Sequence, residues 1–213
     1  FRKPSGECLW FRGVSQPKLT GEQIIFNGLI TDITEQKYKD ELLRMNDARV
    51  SALLDMSRIT GNEENVLLDF ALEKAIELTG SKIGYLAFMN DDETVLSIRS
   101  WSRHVMEQCF IADKPMEYPV ETTGLWGECV RQRKAVITND YMAENTLKKG
   151  YPEGHIAITR HMNIPLFDGD KIVIVAGIGN KEEPYDEEDV RQLTFMIDGM
   201  WKILKASRAE KSL

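Results

Sequence analysis

The chain has 213 residues, 42% of them hydrophobic, and sets 27 Lys and Arg against 34 Asp and Glu for a net charge of −7. That balance supports a packed core and excludes a nucleic-acid surface, which needs a basic patch. No apolar run approaches the ~18 residues of a membrane span, and no signal peptide is present. The length fits one domain with extra elements, or two small domains. The three cysteines, Cys8, Cys109 and Cys129, form no CxxC pair and no CxxCH motif, which indicates a reducing, cytoplasmic setting. The chain opens on Phe1 and reads as a piece of a longer protein.

Alternation predicts strands over 6–14 ("GECLWFRGV") and 23–30 ("QIIFNGLI"), with Pro17 and Gly21 of "SQPKLTGE" supplying the turn between them. A lone hairpin is marginal in water, so this one needs further strands or another packing partner. Asp32 or Thr34 then caps a helix predicted over 34–59. Its helical spacing gives a seam through Tyr38, Leu42 and Met45. The seam meets Arg49 and resumes at Ala52, Met56 and Ile59. The first half predicts a dimer seam and the second half packing on the chain's own domain. The stretch "NGLITDITEQKYKDELL" resembles the end of a PAS sensor domain running into its exit helix. The resemblance covers only about 33 residues and implies the C-terminal hairpin of such a domain.

An amphipathic helix follows over 63–79, with Val66, Phe70, Ala71, Leu72, Ile76 and Leu78 on its apolar side and Gly80 ending it. Strands over 82–90 and 94–101 are joined by "DDE" as a hairpin. After an irregular stretch holding His104 and Cys109, "GLWGECVRQRK" predicts a short helix and "AVITND" a strand. Residues 141–154 form a long loop containing Gly150, Pro152 and Gly154. "MNIPLF" and "KIVIVAGIGNK" flank Asp168-Gly169-Asp170 as a second hairpin, and a closing helix runs over 186–207. The fold class is α+β, an antiparallel sheet flanked by helices, with an N-terminal hairpin and a long connecting helix.

Residues 50–205 resemble a GAF domain. "GNKEEPYDEEDVRQL" matches that family's Asn-Lys…Phe…Asp-Glu signature at Asn180, Lys181, Tyr185 and Asp189, with Tyr in place of Phe and no final Glu. The signature supports the fold and does not itself hold ligand. "GLWGECVRQRKAVITNDY" together with "KGYPEGHIAITRHMNIP" resembles GAF domains of multi-domain PAS/GAF sensor histidine kinases, some of which bind haem. The resemblance implies a PAS hairpin over 1–33, a connecting helix over 34–60, a GAF domain over 61–207 and a tail over 208–213. It further implies a homodimer, and a kinase core in the same parent chain, with no catalysis by this segment.

Two of the three histidines, His155 and His161, lie six residues apart. On a helix that spacing separates them by about 240°. On a strand they share a face about 20 Å apart. Neither arrangement chelates one ion. His161 precedes a strand and reads as a brace for the sheet. His155 follows Gly154 in the loop where a GAF domain closes over its ligand, so it is the candidate axial ligand of a haem iron, with His104 as rival. Cys109 is the candidate thiol beside or bonded to that haem, whereas Cys129, next to Trp126 and Val130, reads as buried and inert. Trp101, Trp126 and Phe88 either line the ligand cavity or fill core. Arg131, Arg133 and Lys134 form a basic cluster that faces solvent or an anionic ligand. Glu117 and Glu121 have no partner marking them as a catalytic pair. The readings that compete with a ligand sensor are a ligand-free dimerisation scaffold and a GAF-fold methionine sulfoxide reductase using Cys109 and Cys129.

Overall fold

The computed structural model describes residues 1–4, 8–59, 64–108, 116–149 and 156–211. The chain forms two compact units, residues 1–48 and 49–213, with the boundary inside one long helix. In the first unit, β1 (Phe11–Thr20) pairs antiparallel with β2 (Gln23–Asp32). The strand expected over 6–14 is thus shifted along the chain, and "SQPKLT", expected as a turn, is itself strand. Two physical reasons account for this. A two-stranded ladder has only edge strands, so Pro17, opposite Phe26, costs no central hydrogen bond. Gly21, at φ +64°, supplies the left-handed residue of a two-residue turn. One face of the hairpin carries Phe11, Leu19, Ile24, Phe26 and Ile30, all exposed.

Helix α1 spans Thr34–Ser57. Its start is fastened twice: Asp32 Oδ1 accepts the Thr34 N–H at 2.9 Å, and Thr34 Oγ1 accepts the Trp10 N–H at 2.9 Å. Hydrogen bonds from the Thr34 side chain and backbone hold the Asp32 carboxyl below its usual range. Tyr38 and Leu42 are exposed. Beyond Arg49 the helix turns inward. Ala52 and Met56 are buried in the second unit's core, as the resumed seam predicts, and Leu53 packs where a Cβ on Gly199 would stand. Arg49 donates to Gln192 Oε1 at 2.6 Å and pairs with Glu188, so the charge in the seam is an anchor.

The second unit is a six-stranded antiparallel sheet with its long helices on one face and short ones on the other. α2 (Glu64–Thr79) leads into β3 (Ile83–Met89) and β4 (Val95–Trp101). A short α3 (Arg103–Gln108), β5 (Glu117–Pro119), α4 (Glu128–Arg131) and β6 (Val136–Thr138) follow. β7 (His161–Asp168), β8 (Lys171–Gly179) and α5 (Glu187–Lys211) complete it. The sheet order is β5-β4-β3-β8-β7-β6. The fold class is the expected one. Two elements were not expected, α3 and β5, both in the stretch read as irregular. α3 exists because Glu73 Oε1 accepts the Arg103 N–H at 2.7 Å, a contact 30 residues away in sequence.

Period-2 alternation sorts the sheet into two faces. Leu86, Ile164, Ala176 and Ile178 join α2, α5 and the inner half of α1 in the main core. The buried side of α2 is Leu67, Leu68, Ala71, Leu72, Ala75 and Ile76. Val66, expected on that side, is exposed. Leu193, Met196 and Met200 of α5 are fully buried in this core and so are not available to a dimer seam. On the opposite face, which carries only the short α3 and α4, Ala87, Leu96, Ile98 and Val175 pack under Val120, Cys129 and Val130.

Candidate functional site

The face that carries α3 and α4 is organised around Tyr85. One row of cross-strand partners runs Trp101, Tyr85, Gly177, Asn163, Val136 across β4, β3, β8, β7 and β6. Partners in such a row share a face. Gly177 contributes no side chain, and a Cβ there would stand 2.2 Å from Tyr85 Cε1 and 2.3 Å from Asn163 Oδ1. The Tyr85 ring therefore lies across β8 and donates its hydroxyl to Asn163 Oδ1 at 2.9 Å. Burial pushes the Tyr85 hydroxyl well above its ordinary range, so it stays a donor. Trp101 tilts against Tyr85 at 5.8 Å, and Trp126 meets it edge-on at 5.7 Å. Tyr118 closes the aromatic cluster, edge-on to Trp126 at 5.0 Å.

Two residues along β7 from Asn163 stands His161, opposite Gly179. It is 7% exposed, and Tyr141 meets its ring at 5.3 Å. Burial holds its pKa down at about 4, so the imidazole is neutral near pH 7. Neither ring nitrogen has a hydrogen-bond partner among the described residues. His161 thus does not brace the sheet through hydrogen bonds, the role its position before a strand suggested. Two more buried donors on this face are also unpartnered: Trp101 Nε1 and Asn163 Nδ2. Folded proteins leave few buried polar atoms unpaired, and each instance calls for a cause. The apolar part of the wall beside Trp101 is Ile83, Val105, Ile156 and Ile158.

The signature residues position this wall. Asn180, at φ +62°, accepts the Thr159 N–H at 2.9 Å through Oδ1 and donates Nδ2 to Ala157 O at 2.8 Å. It thereby clamps residues 157–159, immediately before His161. Lys181 Nζ reaches both carboxylate oxygens of Asp189, at 2.8 and 2.7 Å. Tyr185, standing where the family has Phe, uses its extra hydroxyl on Ser81 Oγ at 2.8 Å. All of this is scaffold, as the resemblance implied.

The remaining candidates separate. Trp101 and Trp126 share the aromatic cluster with Tyr85. Phe88 lies on the helix face against Trp201 at 6.2 Å, so it is core. His104 is half-buried on α3. His155 and Cys109 fall outside the described residues. Cys129 is fully buried, its thiol pushed up to about 12 by burial, so it is no thiolate nucleophile at neutral pH. The basic cluster is structural: Arg131 donates to the carbonyls of Val120 and Gly124 at 2.7 and 2.6 Å, and Arg133 binds Glu93 and the Asp170 carbonyl. Glu117 and Glu121 are exposed. No cluster of three or more His, Cys, Asp or Glu able to hold a metal occurs among the described residues. No described helix is long and apolar enough to cross a membrane.

Tyr85 and Asn163 were missed in the sequence. A signal for Asn163 was present: with His161 it places two polar residues at i and i+2 in an otherwise apolar strand, on one face. Tyr85 gave none, because a tyrosine among apolar neighbours is ordinary core.

Comparison with known proteins agrees with this architecture. The family model described as "GAF domain" matches residues 61–205. The chain is similar to a methyl sulfide methyltransferase-associated sensor of Methanosarcina acetivorans, at 52% identity over 193 residues. That match takes in 91% of this chain and 19% of the relative, so the chain spans about a fifth of the relative's length. Among solved structures, it is similar to the GAF domain of a phosphoenolpyruvate-protein phosphotransferase from Coxiella burnetii, with TM-score 0.64 and 14% identity, covering 80% of this chain and 98% of that one. It is also similar to a free methionine-R-sulfoxide reductase from Neisseria meningitidis, with TM-score 0.57 and 15% identity, covering 78% and 91%. At such identities the structural likenesses establish the fold alone. With the family match spanning the six-stranded sheet and its helices, the chain belongs to the GAF domain family.

Proposed function

We propose that this chain is the sensory part of a longer signalling protein, binding a small molecule on the Tyr85 face of its GAF sheet and relaying occupancy through α1 and α5. The observation that carries the reading is the set of buried, unpartnered polar atoms of Trp101, His161 and Asn163 on one face. A ligand that pairs with them offsets a cost the empty domain bears. Its contacts would favour one conformation and bias the flanking helices. The similarity to a protein named a sensor supports this. The buried, high-pKa Cys129 disfavours the reductase alternative.

Haem is the ligand to test first. It needs an apolar slot and an axial donor, and the apolar side chains of Trp101, Ile83 and Val105 suit the first need. His155 would supply the axial nitrogen and Cys109 a thiol near or bonded to the porphyrin edge, with His104 as the rival donor. Bound there, haem would supply an iron sensitive to redox state or small gases. The parent is read as a cytoplasmic sensor histidine kinase acting as a homodimer. The β1–β2 hairpin is read as the end of a PAS domain, whose other strands would cover its exposed apolar face. The test is an absorption spectrum of the chain purified with haem supplied. A Soret band that is lost or shifted in His155→Ala, with the fold retained, supports the assignment. Loss in His104→Ala alone transfers the axial role to His104. No band in any preparation removes haem and leaves the scaffold reading ahead.

A further inference from the structure

Three buried polar groups on the Tyr85 face of the sheet are unequal in what they leave open. Asn163 is 1% exposed, and its Oδ1 already accepts the Tyr85 hydroxyl. That bond sets the orientation of the amide and leaves Nδ2, a donor, unpartnered. His161, on the same strand and face, has its Cα about 7 Å away and leaves both ring nitrogens unpartnered. A neutral imidazole offers one donor and one acceptor. Side by side, the two residues present a donor next to an acceptor, the complement of an amide edge.

We infer that Asn163 and His161 recognise the amide edge of an uncharged planar molecule, Asn163 Nδ2–H donating to its carbonyl oxygen and the bare nitrogen of His161 accepting its N–H. The inference rests on the ligand-binding reading of this face. Planarity follows from the amide itself, whose carbonyl and N–H lie in one plane, and the Tyr85 and Trp101 rings stand on the same face as the two polar residues. The absence of charge follows from the partners. Arg160, the basic residue next to His161, lies toward Tyr185 of the main core, where Nη1 donates to the carbonyls of Lys181 and Glu182 and Nε has no partner among the described residues. Burying an ion against neutral groups alone is strongly unfavourable, whereas an uncharged amide is matched bond for bond. Trp101 Nε1 remains for a second acceptor on the ligand.

Three molecules of one shape separate the possibilities: benzamide, benzoate and toluene, each titrated into the 213-residue chain and followed by the side-chain NH resonances of Asn163, Trp101 and His161. The expected result is saturable benzamide binding that moves Asn163 and His161, with benzoate at least about tenfold weaker. His161→Phe keeps the ring volume and the Tyr141 contact and should weaken benzamide about tenfold, the loss expected for one buried hydrogen bond. If that variant does not fold, the paired change Asn163→Leu with Tyr85→Phe removes both members of the other bond together and should give the same loss. Toluene binding as tightly as benzamide overturns the inference, as does unchanged benzamide affinity in a folded variant. Binding of none of the three also overturns it. The broader sensory reading is judged separately by the haem spectrum, which uses a different probe and readout.

Discussion

Gly177→Ala is the sharpest probe of how this face is built. The new Cβ would stand 2.2 Å from Tyr85 Cε1, 2.6 Å from Tyr85 Cζ and 2.3 Å from Asn163 Oδ1. No real contact is that short, so the Tyr85 ring must leave β8. In leaving, it breaks the 2.9 Å bond from its hydroxyl to Asn163. Overpacking of this kind costs about 1–3 kcal/mol. Stranding a buried hydroxyl and carbonyl adds about 1–3 kcal/mol, for a total of about 2–6 kcal/mol. Urea unfolding followed by fluorescence reads this directly, because Trp101 and Trp126 both touch the Tyr85 ring. With a slope of about 2–3 kcal/mol per molar urea, the midpoint should fall by about 0.7–3 M. Near-ultraviolet circular dichroism of the folded variant should change as well. In a Tyr85→Leu background the same glycine change should cost much less, since the atoms it collides with are gone. A midpoint within 0.2 M of the parent (about 0.5 kcal/mol), or strict additivity of the two changes, would refute the account of Gly177.

Asp189→Asn should lower stability by about 3 kcal/mol in chemical denaturation, because it strands Lys181 beside a nearly buried partner; a loss under about 0.5 kcal/mol would show the pair to be surface-like. His161 makes stability depend on pH. Its pKa falls from 6.5 to about 4 on folding, so between those values the unfolded chain binds the extra proton and stability drops as pH falls, by about 3 kcal/mol in all; a pH-dependence unaltered in His161→Phe would sink this assignment. Leu42→Glu, placed in the exposed half of α1, should convert a dimer to monomer in sedimentation at tens of micromolar without moving the unfolding midpoint, and a chain that is already monomeric contradicts the seam.

The class of fold was legible because amphipathic periods of 3.6 and 2 are local properties. The α2 pattern, the Asp168-Gly169-Asp170 turn and the Asn180–Asp189 signature each identify themselves within a few residues. Arg49 marked the place where α1 changes duty, though not that it clasps Glu188 and Gln192. Short elements were not legible. α3 and β5 are too brief to show a period and exist through distant contacts, such as Glu73 capping Arg103. The buried side of α2 was misjudged at Val66 because an apolar stripe drawn from spacing alone can be rotated by one position. The site was only half legible. Trp101 and Trp126 stood out as large aromatics, but cross-strand register alone decides that they flank Tyr85, while Phe88 points to the other face. His161 and Asn163 sit in plain view in "RHMNIP". That Asn163 Nδ2 and the His161 ring nitrogens are buried without partners depends on Tyr85 reaching across Gly177, on Tyr141 covering the imidazole, and on Asn180 holding residues 157–159. Those are contacts between strands far apart in the chain, and no local pattern of residues encodes them.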